Sequence, residues 1–202
     1  MKRLTWLAAI AALSGCSSAE SAVFDAERPW RQPGDVIDSI LPMEEYERRF
    51  RAGLPEVTAF GHGAPDREAL ASRFLAAVEA RDSVALARLA VSRGEFAWLV
   101  FPQHRYRVPP YELDPGIVWM QVTAASAKGL ARVLERHGGQ RLALRGISCT
   151  SDTVQFTPGP VRAWGDCTLD YQAGDSLLTR RLFGSVVEHQ GVVKLLGFSN
   201  DF

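Results

Sequence analysis

The sequence predicts an α+β domain, with helices in the first half and an antiparallel sheet of about four strands in the second. Three observations predict it. Apolar residues recur at helical spacing from about residue 42 to residue 137. From Leu142 onward, runs of strand-forming residues take over, separated by Gly, Asp and Pro turn signals. Helices first and a meander afterwards place one sheet against helices instead of alternating them in βαβ units.

The helices follow in chain order. Pro42 opens a helix through Met43, Tyr46 and Phe50 that ends at Gly53. Glu44, Glu45 and Glu47 precede Arg48, Arg49 and Arg51, an order that suits the helix macrodipole. After Pro65-Asp66, Leu70, Ala71, Phe74, Leu75 and Val78 form one apolar stripe. Asp82 caps a short helix carrying Leu86 and Leu89. Ser92 and Glu95 fit a capping box ahead of Phe96, Leu99 and Val100, and Pro102 stops that helix. Asp114-Pro115 begins another through Val118, Trp119 and Val122. Ser126 is expected to cap a further helix, with Leu130, Val133 and Leu134 inward and His137-Gly138 at its end. Gly129 costs that helix roughly 1 kcal/mol relative to Ala, which marks a place of close packing.

The strands are expected over 142–149, 161–173, 177–188 and 192–199, with turns at Gly174-Asp175 and Gln190-Gly191. Residues 154–156 and 161–164 read as a hairpin around Thr157-Pro158-Gly159. Antiparallel partners share a constant sum of residue numbers. The sum that pairs Phe156 with Pro160 also pairs Cys149 with Cys167. Directly opposed residues have Cβ atoms about 4.5–5.5 Å apart, close to disulfide reach. A bulge at Ser151-Asp152 would break that register. The alternative is two free, buried thiols; Cys-x-x-Cys redox spacing is absent from the sequence.

The N-terminus has its own pattern. Lys2 and Arg3 precede an apolar run from Leu4 to Leu13, the layout of a secretory signal. About ten apolar residues are too few to span a bilayer, which takes about twenty. Leu13-Ser14-Gly15-Cys16 resembles the lipobox of bacterial lipoproteins. That resemblance implies cleavage before Cys16, a thioether-linked diacylglycerol on its sulfur and an acyl chain on its amine. Two chains already anchor stably. The chain then divides into a signal peptide at 1–15, a lipidated tether at 16–35 rich in Ser, Pro and Gly, and one domain at 36–202. Ser17 after the cysteine, instead of Asp, favours the periplasmic face of an outer membrane within the cell envelope. An exported compartment also permits the Cys149–Cys167 bridge.

Processing removes Lys2 and Arg3 and no acid, so twenty-three basic residues become twenty-one against twenty-three acidic ones. A mature net charge of about −2 excludes the basic footprint of a nucleic-acid partner. P-loop, dinucleotide, Gly-x-Ser-x-Gly and His-Glu-x-x-His patterns do not occur, so no cofactor and no metal is expected. His62, His104, His137 and His189 are scattered. Asp166 and Asp170 share strand parity, and solvated positions are expected for both. The best local candidate for a binding surface is the aromatic, basic loop His104-Arg105-Tyr106-Arg107 with Tyr111, since loops carry function.

The order of elements over residues 65–199 is similar to the nuclear transport factor 2-like, or cystatin-like, α+β folds. The residues that carry this are the Phe74-Leu75-Val78 helix, the Asp82–Leu89 segment, Glu95-Phe96 and the terminal meander through Val192-Val193-Lys194-Leu195-Leu196. The resemblance implies helices packed into a strongly curved sheet to form a cone. Enzymes of that family place acids, tyrosines or histidines deep in the cone, and no residue here aligns with their motifs. Two functions follow as expectations. The first is a membrane-anchored, non-enzymatic envelope module that binds a small apolar ligand or an envelope protein. The second is a cone-fold enzyme of isomerase, dehydratase or hydrolase type acting on a hydrophobic substrate.

Overall fold

The structure is a computed structural model that describes residues 41–152 and 155–201. The expected signal peptide, Cys16, the tether and residues 36–40 lie outside the described residues, as does Val154. Residues 41–202 form one compact unit.

Helix α1 (Met43–Arg51) begins after Pro42 and ends ahead of Gly53, whose φ is +76°. Helix α2 (Arg67–Glu79) is capped by Asp66, whose carboxylate accepts from Ala69 N at 2.7 Å. Helix α3 (Ser83–Leu89) is capped by Asp82 in the same way. Ser92 and Glu95 make the expected reciprocal capping box around α4 (Arg93–Glu95).

The chain then departs from the expected single helix. Residues Phe96–Val100 form one turn of π-helix, in which Phe101 N–H reaches Phe96 O, and Phe101–Gln103 tightens into a 3₁₀ turn. The wide turn lets Phe96, Val100 and Phe101 all point inward, and each is fully buried.

Two helices were expected over 114–138, and there is one, α5 (Pro115–His137), of 23 residues. Ser126 is therefore not a cap. Its Oγ faces the C-terminal segment and accepts from Phe198 N at 3.1 Å. Gly129 marks the close packing that its cost implied: a Cβ there would lie 1.9 Å from Phe198 O.

The second half is a five-stranded antiparallel sheet: β1 (Leu142–Ser151), β2 (Val161–Ala173), β3 (Ser176–Arg180), β4 (Val186–His189) and β5 (Val192–Leu195). The expected 177–188 strand is two strands, β3 and β4, which share one edge of the long β2. Leu182 and Phe183 explain the break. Both are fully buried, and consecutive inward side chains are incompatible with strand alternation. Gln190-Gly191 makes the expected tight turn, with positive φ at both residues. The free edge of β5 is covered: Ala64 pairs with Val193, and Val91 N–H donates to Leu195 O.

Cys149 and Cys167 are joined by a disulfide, with Cα atoms 4.1 Å apart. The expected register holds from Gly146↔Asp170 to Ser148↔Thr168 and shifts by one residue on either side. The bulge lies at the disulfide itself, where Asp166 takes φ +46° and Thr150 faces Gly165. Of the expected 154–156 hairpin strand, the described residues Gln155 and Phe156 lie outside the five strands. β1 stops at Ser151, and Phe156 bridges His104. Gln103 supplies the pairing: its amide bonds both Val161 N and Val161 O, and its carbonyl accepts from Thr157 N. Pro158 and Pro160 have no N–H with which to sustain a regular ladder.

The helices pack on this sheet through two apolar clusters. Phe74, Leu75 and Val78 of α2 meet Leu169, Tyr171 and Phe183. Phe50, Phe96 and Phe101 meet Val118, Val161 and Val187.

Candidate functional site

The five residues of the predicted binding loop divide into different roles. His104 is 3% exposed. Its Nδ1 accepts from Tyr106 N at 3.2 Å, and its ring lies 4.8 Å from that of Tyr106 and 5.2 Å from that of Phe156. Burial, with the neighbouring Arg105 charge second, pushes His104 down to about 4. The imidazole is thus neutral near pH 7, and with Nδ1 accepting, Nε2 carries the proton. Arg105 lies over the rings of Tyr106 and Tyr111, 5.0 Å from each centroid. Arg107 turns the other way and bonds Glu47 of α1 at 2.6 Å. The loop is fixed from below by Arg105 N, which donates to Gln155 O.

His104 and Tyr106 form one wall of a cavity of about 270 Å³. The facing wall is α5, through Val118, Gln121, Val122 and Ser126, and the floor includes Ser185, Leu196 and Ser199. Gln155, Ser185 and Ser199 also line an adjoining depression of about 340 Å³, closed on its far side by Thr150, Asp152, Asp166 and Arg181. The two make one cleft. Glycines allow it. Gly184 N–H donates to Gly197 O, and Leu196 N–H to Ser185 O, which extends the β4–β5 pairing beneath α5. A Cβ on Gly197 would stand 2.5 Å from Ser126 Oγ, and one on Gly184 would stand 2.6 Å from Ser199 Oγ. A more apolar depression of about 660 Å³, which shares Ser151 and Asp152 with the cleft, lies against Phe156, Pro158, Val161 and Trp164.

The cleft is lined with unspent hydrogen-bonding capacity. The side chains of Ser151, Ser185, Ser199, Gln121 and Gln155 make no hydrogen bond to another described residue. Arg181 pairs with Asp166 at 3.5 Å and with Asp201, and its Nε is buried without a partner among the described residues.

Two pairs of ionisable groups meet in the interior, Glu95 with Lys194 and His137 with Tyr171. Lys194 Nζ stands 3.0 and 2.9 Å from the two oxygens of Glu95, and both residues are buried. Burial alone would raise the Glu95 carboxyl; Lys194 and the N–H groups of Ser92 and Gly61 outweigh it and leave it lowered. His137 Nε2 lies 3.1 Å from the Tyr171 hydroxyl, and burial lowers the first and raises the second. His189 contacts the carbonyls of Pro160 and Thr58, and His62 occupies a turn with φ +56°. Asp166 and Asp170 are both exposed. Among the described residues there is no group of three or more His, Cys, Asp or Glu that could hold a metal ion.

Sequence reasoning singled out His104 and Tyr106, which line the cleft, but not Gln121, Ser185 and Ser199. Those three come from separate segments, α5, the β3–β4 linker and the C-terminal segment, and the local signal for them was the small residues at Gly184-Ser185 and Gly197. Among the described residues, no helix is long and apolar enough to cross a membrane. No protein-family model, no curated protein and no solved structure matches this chain.

Proposed function

We propose that this chain is a lipid-anchored envelope module that binds a small ligand in its surface cleft and carries out no chemistry on it. The lipobox-like Leu13-Ser14-Gly15-Cys16 supports the anchor, and the helices-then-meander order supports a cone-type domain held above the membrane. One observation carries the binding reading. In the interior Glu95 meets Lys194 and His137 meets Tyr171, whereas hydroxyls and amides without a partner among the described residues gather on the cleft wall. Gln121, Ser151, Gln155 and Ser199 are exposed and Ser185 is half-buried, so these groups are open to exchange water for a ligand. His104, neutral and weakly basic, is poorly matched to proton transfer near pH 7.

Native mass spectrometry of the full chain, extracted from membranes in mild detergent, tests both parts. The expected spectrum shows a chain beginning at acylated Cys16 and carrying a non-covalent adduct. That adduct is lost when Ser185→Leu fills the cleft. An unacylated chain refutes the anchor, and an adduct indifferent to Ser185→Leu refutes the site.

A further inference from the structure

We propose that the cleft binds a neutral, N-acetylated oligosaccharide. The proposal rests on the cleft being the binding site and adds the class of its ligand.

Charge excludes the alternatives first. Among the described residues Arg181 is the one cation on the cleft wall, and Asp166 and Asp201 already offset it. Asp152 adds a further carboxylate, and His104 is neutral. A phosphate or carboxylate ligand would meet no uncompensated positive charge. An apolar ligand would strip water from Gln121, Gln155, Ser185 and Ser199 and return no hydrogen bond.

A sugar fits both constraints. Its hydroxyls donate and accept, as do the Ser and Gln side chains. The cavity beside α5 also has an apolar wall of Val118, Val122, Ala125 and Leu196, and His104 lines the same cavity. An acetamido group matches that pairing: its methyl meets the aliphatic wall and its carbonyl accepts from the imidazole. The two depressions share Gln155, Ser185 and Ser199, so a ligand of more than one ring spans both. Their volumes are in the range of ordinary ligand sites.

The test titrates the full, detergent-solubilised chain with the tetramer of N-acetylglucosamine and with maltotetraose, and cosediments it with purified cell-wall sacculi. Saturable binding of the acetylated tetramer, roughly tenfold or more tighter than maltotetraose, is expected. The exposed pair Gln121→Ala and Ser199→Ala should weaken it roughly tenfold without moving the thermal midpoint. Cosedimentation with sacculi identifies a wall polymer as the source, and tetramer binding without cosedimentation identifies a free saccharide. Equal binding of maltotetraose overturns the proposal. So does silence at millimolar tetramer while a non-saccharide adduct disappears with Ser185→Leu, a result that leaves the cleft as the binding site. Silence together with an adduct indifferent to that variant overturns both.

Discussion

Glu95 and Lys194 form a buried ion pair that joins α4 to β5 at 2.9 Å, and the same carboxylate closes the α4 capping box. Ser92 N, Gly61 N and Lys194 Nζ together satisfy both carboxylate oxygens. Lys194→Met should therefore cost about 3–5 kcal/mol, because it leaves a desolvated carboxylate with backbone donors alone. The double variant Glu95→Gln/Lys194→Met should recover part of that loss, since no charge is stranded. Urea unfolding of the two variants checks the order.

Acid should destabilise the domain in two windows. His104 is held at about 4 in the fold, below its ordinary 6.5, so the unfolded chain binds the extra proton between those values. Its contribution is complete above pH 6.5 and fades as pH falls toward 4, by about 3 kcal/mol in total. Glu95 is lowered below its ordinary 4.5, so its contribution is present above that value and is lost as pH falls further. Stability measured against pH should fall first below 6.5, and His104→Phe should shrink that first step, leaving the part due to His137, which burial also lowers. An NMR titration of the His104 ring checks the assignment.

The cysteine pair is expected to act as a clamp beside the cleft. Thr150 and Asp166, which flank Cys149 and Cys167 in sequence, line the cleft wall. A bridge across a sequence separation of 18 residues contributes about 3 kcal/mol. Cys149→Ser/Cys167→Ser should lower the unfolding free energy by that amount in denaturant titration and leave the transition cooperative.

Gly129→Ala separates helix propensity from packing. Propensity alone would stabilise α5 by about 1 kcal/mol. The added methyl meets the backbone carbonyl of Phe198 at 1.9 Å, and that carbonyl belongs to a segment tied to Ser126 and Gly129. Overpacking of this kind costs about 1–3 kcal/mol. A lower thermal midpoint for the variant is expected, and a higher one would show that the C-terminal segment yields.

Local signals in the sequence located the helices well, because each has a chemical marker. Asp66, Asp82, Ser92 and Asp114 cap the four helix starts that residue type and spacing assign to them. Ser126 carries the same residue type and caps nothing, because a partner seventy-two positions away claims its hydroxyl. The cysteines fall opposite each other as read, yet the hairpin used to align them is replaced by pairing to Gln103. The break between β3 and β4 follows from Leu182 and Phe183 turning inward together, a tertiary demand that period counting does not register. The cleft was hardest to read. His104 and Tyr106 advertise themselves, whereas Gln121, Ser185 and Ser199 acquire meaning only from what faces them.

The central claim is that paired interior groups hold the fold and unpaired cleft groups hold the ligand. Native mass spectrometry and thermal unfolding of two variants of the membrane-extracted chain test it side by side. Gln121→Ala/Ser199→Ala should lose the bound adduct and keep the wild-type midpoint, whereas Lys194→Met should lose stability and keep the adduct at temperatures where it is folded. An adduct retained by the cleft variant and shed by folded Lys194→Met would contradict the account.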